Sequence, residues 1–492
     1  MAEALAIALF LTLLAALLTG FPVAFTLAGV SLLFAGIGYL FGHFDLVLFL
    51  GLAPRYFGVM TNELLVAVPL FIFMGMVLER SKIAEDLLTT MGRLFGPVRG
   101  GLGFSVVIVG AVLAASTGVI AATVVTMGLI ALPAMLKAGY DPRLASGVIC
   151  ASATLAQIIP PSTILIFLAD ILQGVNQAVQ LQRGNLAPTP LSVGDLFAGA
   201  LLPGLMLAGL YLAWVAVQAL FFPARCPALA TSPEERRRLL RALVPTLVLP
   251  LGLILAVLGS ILAGIATATE SASIGAVGAV LWARLRGRLS RAIFWEAAVG
   301  TAKTTAVIFT ILLGASVFSL VFRGLGGEAL VADALAAMPG GVTGALFVYM
   351  LLMFVLGCFL DTLEILFVTV PVFGPPLLAM GVDPLWLGVL IGINLQTSFL
   401  TPPFGFTLFY LRSVAPSEVR SEAIWAGVLP FVALQILGFA LVWAWPPLAT
   451  WLPERIFGTS FAPAGPAPAP AVPSLQELLG PPPPLEPLPP FR

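Results

Sequence analysis

Two proline pairs carry the first chemical signal in this chain. Pro160-Pro161 lies in "AQIIPPSTILIF" and Pro402-Pro403 in "FLTPPFGFTLFY", each inside a long apolar run. Proline has no backbone N–H and clashes with the helical turn before it, so each pair predicts a broken helix. At membrane depth a break frees carbonyls and exposes half-helix ends, groups that bind ions and substrates. Side-chain oxygens gather near both pairs: Ser152, Thr154 and Ser162 at the first, and Asn394, Gln396, Thr397, Ser398 and Thr401 at the second. Two other apolar stretches are interrupted by small or polar residues. "AASTG" at 114–118 brings Ser116, Thr117 and Gly118, and "GCFLDTLE" at 357–364 brings Gly357, Asp361 and Thr362. A carboxylate such as Asp361 inside a membrane hairpin is costly, and it marks function by default. Its structural alternative is a partner for a freed amide at the hairpin tip. For each hydroxyl the alternative is a bond back to its own helix.

The elements that must position these groups are spanning helices. The chain has 492 residues, 60% hydrophobic and 9% charged, with a mean hydropathy of +1.08. A soluble protein carries about 25% charged residues, so this is an integral membrane protein of the all-α polytopic class, set in a lipid bilayer. A formal net charge of zero gives no reason to expect a nucleic-acid partner. Cys150, Cys226 and Cys358 are scattered and lack metal-ligand spacing. No zinc-protease, serine-nucleophile or phosphate-loop motif is present, which argues against an enzyme.

A span needs about 20 apolar residues. Candidates are 4–20, 22–42, 62–79, 143–170, 195–222, 244–264, 268–283, 300–322, 384–411 and 423–448. Segments 101–137 and 341–380 read as re-entrant hairpins around the two interruptions. If 80–100 is cytoplasmic, segments 80–100, 137–143, 223–243, 284–303 and 412–422 are inside and hold 18 of the 23 Lys and Arg residues. Both termini are then outside.

An offset of 242 residues superposes the halves: Pro133 on Pro375, Gly139 on Gly381, Asp141-Pro142 on Asp383-Pro384, and Pro160-Pro161 on Pro402-Pro403. The same shift pairs Ser116 with Cys358 and Ser152 with Asn394. Each half has five spans and a hairpin, so the second is inserted upside down. Inverted repeats with paired broken helices are a transporter architecture. Thr267 and Glu270 have capping-box spacing at the start of helix 268–283.

The ordered stretches "ASTGVIAATVVTMGLIALPAMLKAGYDP", "ICASATLAQIIPPSTILIFLAD", "GIATATESASIGAVGA", "GCFLDTLEILFVTVPVFGP" and "INLQTSFLTPPFGFTLFYLRSVAP" resemble the large membrane subunit of TRAP (tripartite ATP-independent periplasmic) transporters. The resemblance covers nearly the whole chain apart from its Pro-rich end. It implies an elevator-type, sodium-driven importer of organic acids in the bacterial inner membrane. Its implied partners are a periplasmic solute-binding protein and a separate small four-helix membrane subunit. It implies no cofactor, only sodium as the coupling ion. The outer loop 171–195 and "NLQTSFLTPPFGF" are similar to the branch that handles 2-oxo acids, hydroxy acids or related carboxylates. A stand-alone sodium–carboxylate symporter is the alternative.

With sodium as the ion, one site is expected from Ser116, Thr117, Gly118, Ala156, Ile159 and Pro161. A second is expected from Gly357, Asp361, Thr362, Ser398, Leu400 and Pro402. Ser152, Thr154, Ser162, Asn394, Gln396, Thr397 and Thr401 are expected to face substrate. The family often has Gly at Ala153 and Ala156, and Ser-Gly-Ser where this chain has Thr117-Gly118-Val119. The expected organisation is 1–80 scaffold helices, and 81–170 arm, first hairpin and broken helix. Residues 171–222 follow as outer loop and helix, and 223–322 as cytoplasmic loop and scaffold helices. Then come 323–411 as second arm, hairpin and broken helix, 412–452 as last helix, and 453–492 as a Pro-rich disordered tail.

Overall fold

Asp-Pro at a helix start is a local instruction, and the chain uses it twice. Asp141 caps the helix Pro142–Thr154 by accepting from the Arg143 amide at 2.8 Å. Asp383 caps Pro384–Leu400 by accepting from the Trp386 amide at 2.9 Å. Proline suits the first helical turn, where its missing N–H costs nothing. Two residues before each Asp, Gly139 and Gly381 hold φ of +83° and +97°, a conformation that favours glycine. The repeat is thus present in the backbone as well as in the sequence.

The computed structural model describes residues 2–117, 120–228, 233–459 and 461. Among these residues the regular structure is helical, with no strand. The first repeat opens with helices Ala2–Leu17, Val23–Leu40 and Glu63–Arg80, then an arm, Ile83–Phe95. The first hairpin follows, Gly101–Thr117 and Ile120–Lys137. The first broken span is Pro142–Thr154, a 3-10 turn Leu155–Gln157, and Thr163–Gln182. Helix Val193–Phe221 leads to the second repeat, which opens with Pro233–Leu262, Ala268–Leu285 and Arg291–Gly324. Its arm is Gly327–Ala336, its hairpin Gly341–Gly357 and Thr362–Ala379, and its broken span Pro384–Leu400 and Phe406–Val414. Ser421–Ala444 and Pro447–Phe457 close the described chain.

The two repeats interlock. The second arm of each hairpin packs against the far half of the other repeat's broken span: Thr362–Ala379 on Thr163–Gln182, and Ile120–Lys137 on Phe406–Val414. Helices Val193–Phe221 and Ser421–Ala444 pack on the broken spans. Ser421–Ala444 crosses Pro142–Thr154 so closely that a Cβ on Gly427 would sit 2.0 Å from the Arg143 carbonyl oxygen. Glu63–Arg80 and Arg291–Gly324 pack together; the former touches the first hairpin and first broken span, the latter the second hairpin. Each arm carries an ion pair, Asp86–Arg288 at 3.4 Å and Arg323–Glu328 at 2.8 Å.

Three boundaries differ from the sequence reading. Residues 171–195, read as an outer loop, are helical as far as Gln182. The polar run there is one face of a helix, and the Asn176 amide donates to the Thr189 carbonyl at 3.0 Å. Residues 453–457 complete the helix Pro447–Phe457, so the tail does not begin at 453. Residues 462–492 of the expected disordered tail lie outside the described residues. The segment 46–60, unassigned from sequence, forms a 3-10 turn and the short helix Leu52–Met60, neither with a buried residue. The expected capping box at Thr267 and Glu270 is formed. The Glu270 carboxylate accepts from the Thr267 amide at 2.8 Å, and the Thr267 hydroxyl accepts from the Glu270 amide at 3.2 Å.

Candidate functional site

Both proline pairs interrupt their helices. Residues 158–162 and 401–405 lie outside any helix, and Pro160-Pro161 and Pro402-Pro403 are both joined by cis peptide bonds. Each break frees a carbonyl at the same place in the repeat. The Ser162 hydroxyl donates to the Gln157 carbonyl at 2.8 Å. The Thr407 hydroxyl donates to the Phe399 carbonyl. Positions 157 and 399 differ by the repeat offset of 242. Freed carbonyls in an apolar setting need a donor or a cation, and a carbonyl oxygen has a second lone pair after accepting one bond.

The tip of the second hairpin sits directly on the second break. A Cβ at Gly357 would lie 2.0 Å from the Ser398 hydroxyl oxygen, so only glycine lets the tip seat there. Asp361 stands at the N-cap of Thr362–Ala379, and the Glu364 carboxylate accepts from the Asp361 amide at 3.2 Å. The tip also reaches the other repeat. Thr362 accepts from the Gln157 side-chain amide at 3.0 Å, joining the second hairpin to the first break.

A cavity of about 270 Å³ opens where these pieces meet. Three helix beginnings face it: Ile120 and Ala121 of the first hairpin, Thr163 and Ile164 after the first break, and Thr362 and Leu363 of the second hairpin. Asp361, Phe399 and Tyr410 add the second repeat's remaining wall. The other side comes from the long helices, through Ile72, Thr304 and Ile308. No Lys or Arg lines it among the described residues. Helix beginnings carry partial positive charge from unpaired amides, so three of them favour an anion without a basic side chain.

The expected site residues divide into groups. Asp361 and Thr362 line the cavity, and Gly357 and Ser398 are in contact beside it. Ala156, Ile159 and Pro161 are buried in and around the first break; Leu400 ends the helix before the second break, and Pro402 lies in that break. Thr397, Ser398 and Thr401 donate to carbonyls of their own helix, each at 2.8 Å. Thr154 does the same to Ala151 at 2.8 Å. Asn394 donates to the Met350 carbonyl at 2.7 Å, along the first arm of its own hairpin. Its repeat partner Ser152 also faces its own hairpin, at Gly110, and its hydroxyl has no hydrogen-bond partner. Gln396 reaches Tyr211. Ser116 and Thr117 end the helix Gly101–Thr117, and Gly118 lies outside the described residues. Sequence reasoning missed Thr163, Thr304 and Tyr410 on the cavity wall. Thr163 was one residue from an expected hydroxyl, but Thr304 carries no local signal.

Comparison with known proteins gives the family and the fold. The family model described as "Tripartite ATP-independent periplasmic transporter, DctM component" matches residues 10–448. The ectoine/5-hydroxyectoine TRAP transporter large permease protein of Ruegeria pomeroyi is 29% identical over 456 residues, spanning 92% of this chain and 100% of that protein. The C4-dicarboxylate TRAP transporter large permease protein of Vibrio cholerae is 27% identical over 478 residues, 92% of this chain and 98% of its own. The sialic acid TRAP transporter large permease protein of the same species is 26% identical over 450 residues, 90% and 97% of the two chains. Among solved structures, the YdaH transporter of Alcanivorax borkumensis superposes with a TM-score of 0.58 at 16% identity, over 85% of this chain and 90% of that one. At that identity the likeness is one of fold.

Proposed function

The chain belongs to the DctM-component family of tripartite ATP-independent periplasmic transporters, and from that premise we propose that it imports a small organic acid on a sodium gradient. It is a multi-pass membrane transport subunit and not an enzyme. The acid is a 2-oxo acid, hydroxy acid or dicarboxylate. A periplasmic solute-binding protein delivers it, a small four-helix membrane subunit braces the chain, and the bacterial inner membrane is the site of action.

The observation that carries this reading is the convergence of three helix beginnings on one cavity that lacks a basic side chain. They hold the substrate carboxylate. Asp361 on the same wall repels that carboxylate unless a cation stands near, which gives sodium a reason to bind with substrate. Sodium prefers oxygen, and Gly357, Asp361, Thr362, Ser398, Leu400 and Pro402 offer carbonyl, hydroxyl and carboxylate oxygens at the second break. Ser116, Thr117, Gly118, Ala156, Ile159 and Pro161 offer a second set at the first. Binding of each ligand then favours the other, as linkage requires. The broken spans, the hairpins and the two helices packed on them move as one unit against the long helices that form the opposite cavity wall.

The test is uptake into proteoliposomes holding this chain and its small subunit. Labelled 2-oxo, hydroxy and dicarboxylic acids are offered with and without binding protein and an inward sodium gradient. Uptake that needs both supports the proposal. Uptake with sodium but no binding protein supports a stand-alone symporter, and flux indifferent to sodium contradicts the coupling.

A further inference from the structure

Away from the cavity, four polar side chains form a connected group in the apolar interior. Thr154 comes from the first broken span, Gln396 from the second, Tyr211 from Val193–Phe221 and Gln435 from Ser421–Ala444. All four have 0% exposure. The Gln435 amide donates to Thr154 at 3.1 Å and to the Tyr211 hydroxyl at 2.7 Å. The Gln396 amide donates to the same Tyr211 hydroxyl at 3.2 Å. The Tyr211 ring is set edge-on against Phe431, with centroids 5.5 Å apart. The amide nitrogens of both glutamines are paired in this group, while their side-chain oxygens have no partner among the described residues; a polar chain buried at this depth is expensive to form, and its paired members hold one arrangement.

Its position is what gives it a role. Thr154 is the last residue of its half-helix, one residue before the turn Leu155–Gln157. Gln396 stands five residues before the second break at Thr401. The group therefore ties the approach of one break to the approach of the other, through two helices that belong to neither break. Apolar packing alone tolerates sliding, whereas a tyrosine hydroxyl shared by two amides holds a register.

We propose that Tyr211 and Gln435 are positioning residues that couple the order of the two breaks, so that ligand binding at one is felt at the other. The consequence for transport rests on the function proposed above; the coupling itself does not. In the free state the intact link lets the order of each break support the other, and cutting it removes that support from both. Tyr211→Phe removes the shared hydroxyl and keeps the ring against Phe431.

The test is hydrogen–deuterium exchange of the full chain in nanodiscs, without sodium or substrate. Tyr211→Phe is expected to speed amide exchange in peptides covering 152–163 and 394–406 together, by roughly tenfold for a lost buried hydrogen bond. The scaffold helix Ala2–Leu17 is expected to keep its wild-type rate. Thr154→Val and Gln396→Met are the companion variants, each expected to speed exchange at the opposite break. A rise confined to the break nearest the substitution overturns the proposal, as does a uniform rise along the chain. In uptake assays, substrate is expected to lower the half-saturating sodium concentration of the wild type, and Tyr211→Phe to shrink that effect. A wild type without sodium dependence defeats the transport reading and leaves the exchange result to decide the coupling.

Discussion

The two breaks share a backbone plan and differ in what fills it. At the first, Gln157 spans to Thr362 on the opposite hairpin, and residues 155–162 are all buried. Its repeat counterpart is Phe399, which packs at a tilt against Phe406 with ring centroids 5.1 Å apart and forms cavity wall. Ser162, buried, closes the first break through the Gln157 carbonyl. Its counterpart Phe404 is 47% exposed and meets Phe359 of the adjacent hairpin at 4.9 Å. The carboxylate likewise has no counterpart in the first repeat, since Asp361 corresponds to Val119. A repeat can thus duplicate a broken-helix scaffold while the side chains that fill it differ. The first break is a sealed polar junction, and the second is an open wall carrying the charge.

The largest effect should come from Gly357→Ala, because its Cβ would fall 2.0 Å from the Ser398 hydroxyl oxygen. Overpacking of this kind costs about 1–3 kcal/mol and displaces the hairpin tip. Uptake should fall by roughly tenfold or more, the equivalent of about 1.4 kcal/mol and above, and Ser398→Gly in the same chain should restore part of it. Thr362→Val cuts the junction at the first break and leaves the Gln157 amide unpaired, which costs about 1–3 kcal/mol. The thermal midpoint should drop, and adding Gln157→Met should recover it, because both polar partners are then gone. Asp361→Asn should raise the half-saturating sodium concentration by roughly tenfold, about 1.4 kcal/mol, with little change in folding. An unchanged sodium response would erase the assigned difference between the breaks. The smallest effects belong to Ser162→Ala and Thr407→Val, each removing a donor to the equivalent carbonyls at 157 and 399 for about 0.5–1.5 kcal/mol. Similar losses would show that the two carbonyls are held alike, and unequal losses would sharpen the contrast.

Much of the fold was legible because it follows from local rules. Pro-Pro pairs break helices wherever they occur, Asp-Pro starts them, and the repeat offset fixes which parts correspond. The hairpins, caps and broken spans were readable for that reason. The outer loop was misjudged because polar residues on one face of a helix look like a loop when the surface that meets them is unknown. The site was legible at the breaks and hairpin tips and obscure at its far wall. Thr304 and Ile308 reach the cavity only because the long helix Arg291–Gly324 packs against Glu63–Arg80 and the second hairpin, a tertiary fact with no local trace. Tyr211 and Gln435 are the same case: two polar residues on apolar helices, given meaning by what they touch.

Both repeats wall one cavity, which the proposed function makes the substrate site. Thr163 and Tyr410 line it from the first and second repeats, while Cys150 and Cys226 are buried. The direct measurement uses Thr163→Cys and Tyr410→Cys, each in a chain carrying Cys358→Ser, and follows the rate of thiol labelling. Sodium with the transported acid is predicted to slow labelling at both positions together. Labelling at either position that ignores sodium and substrate would contradict a cavity shared by the two repeats.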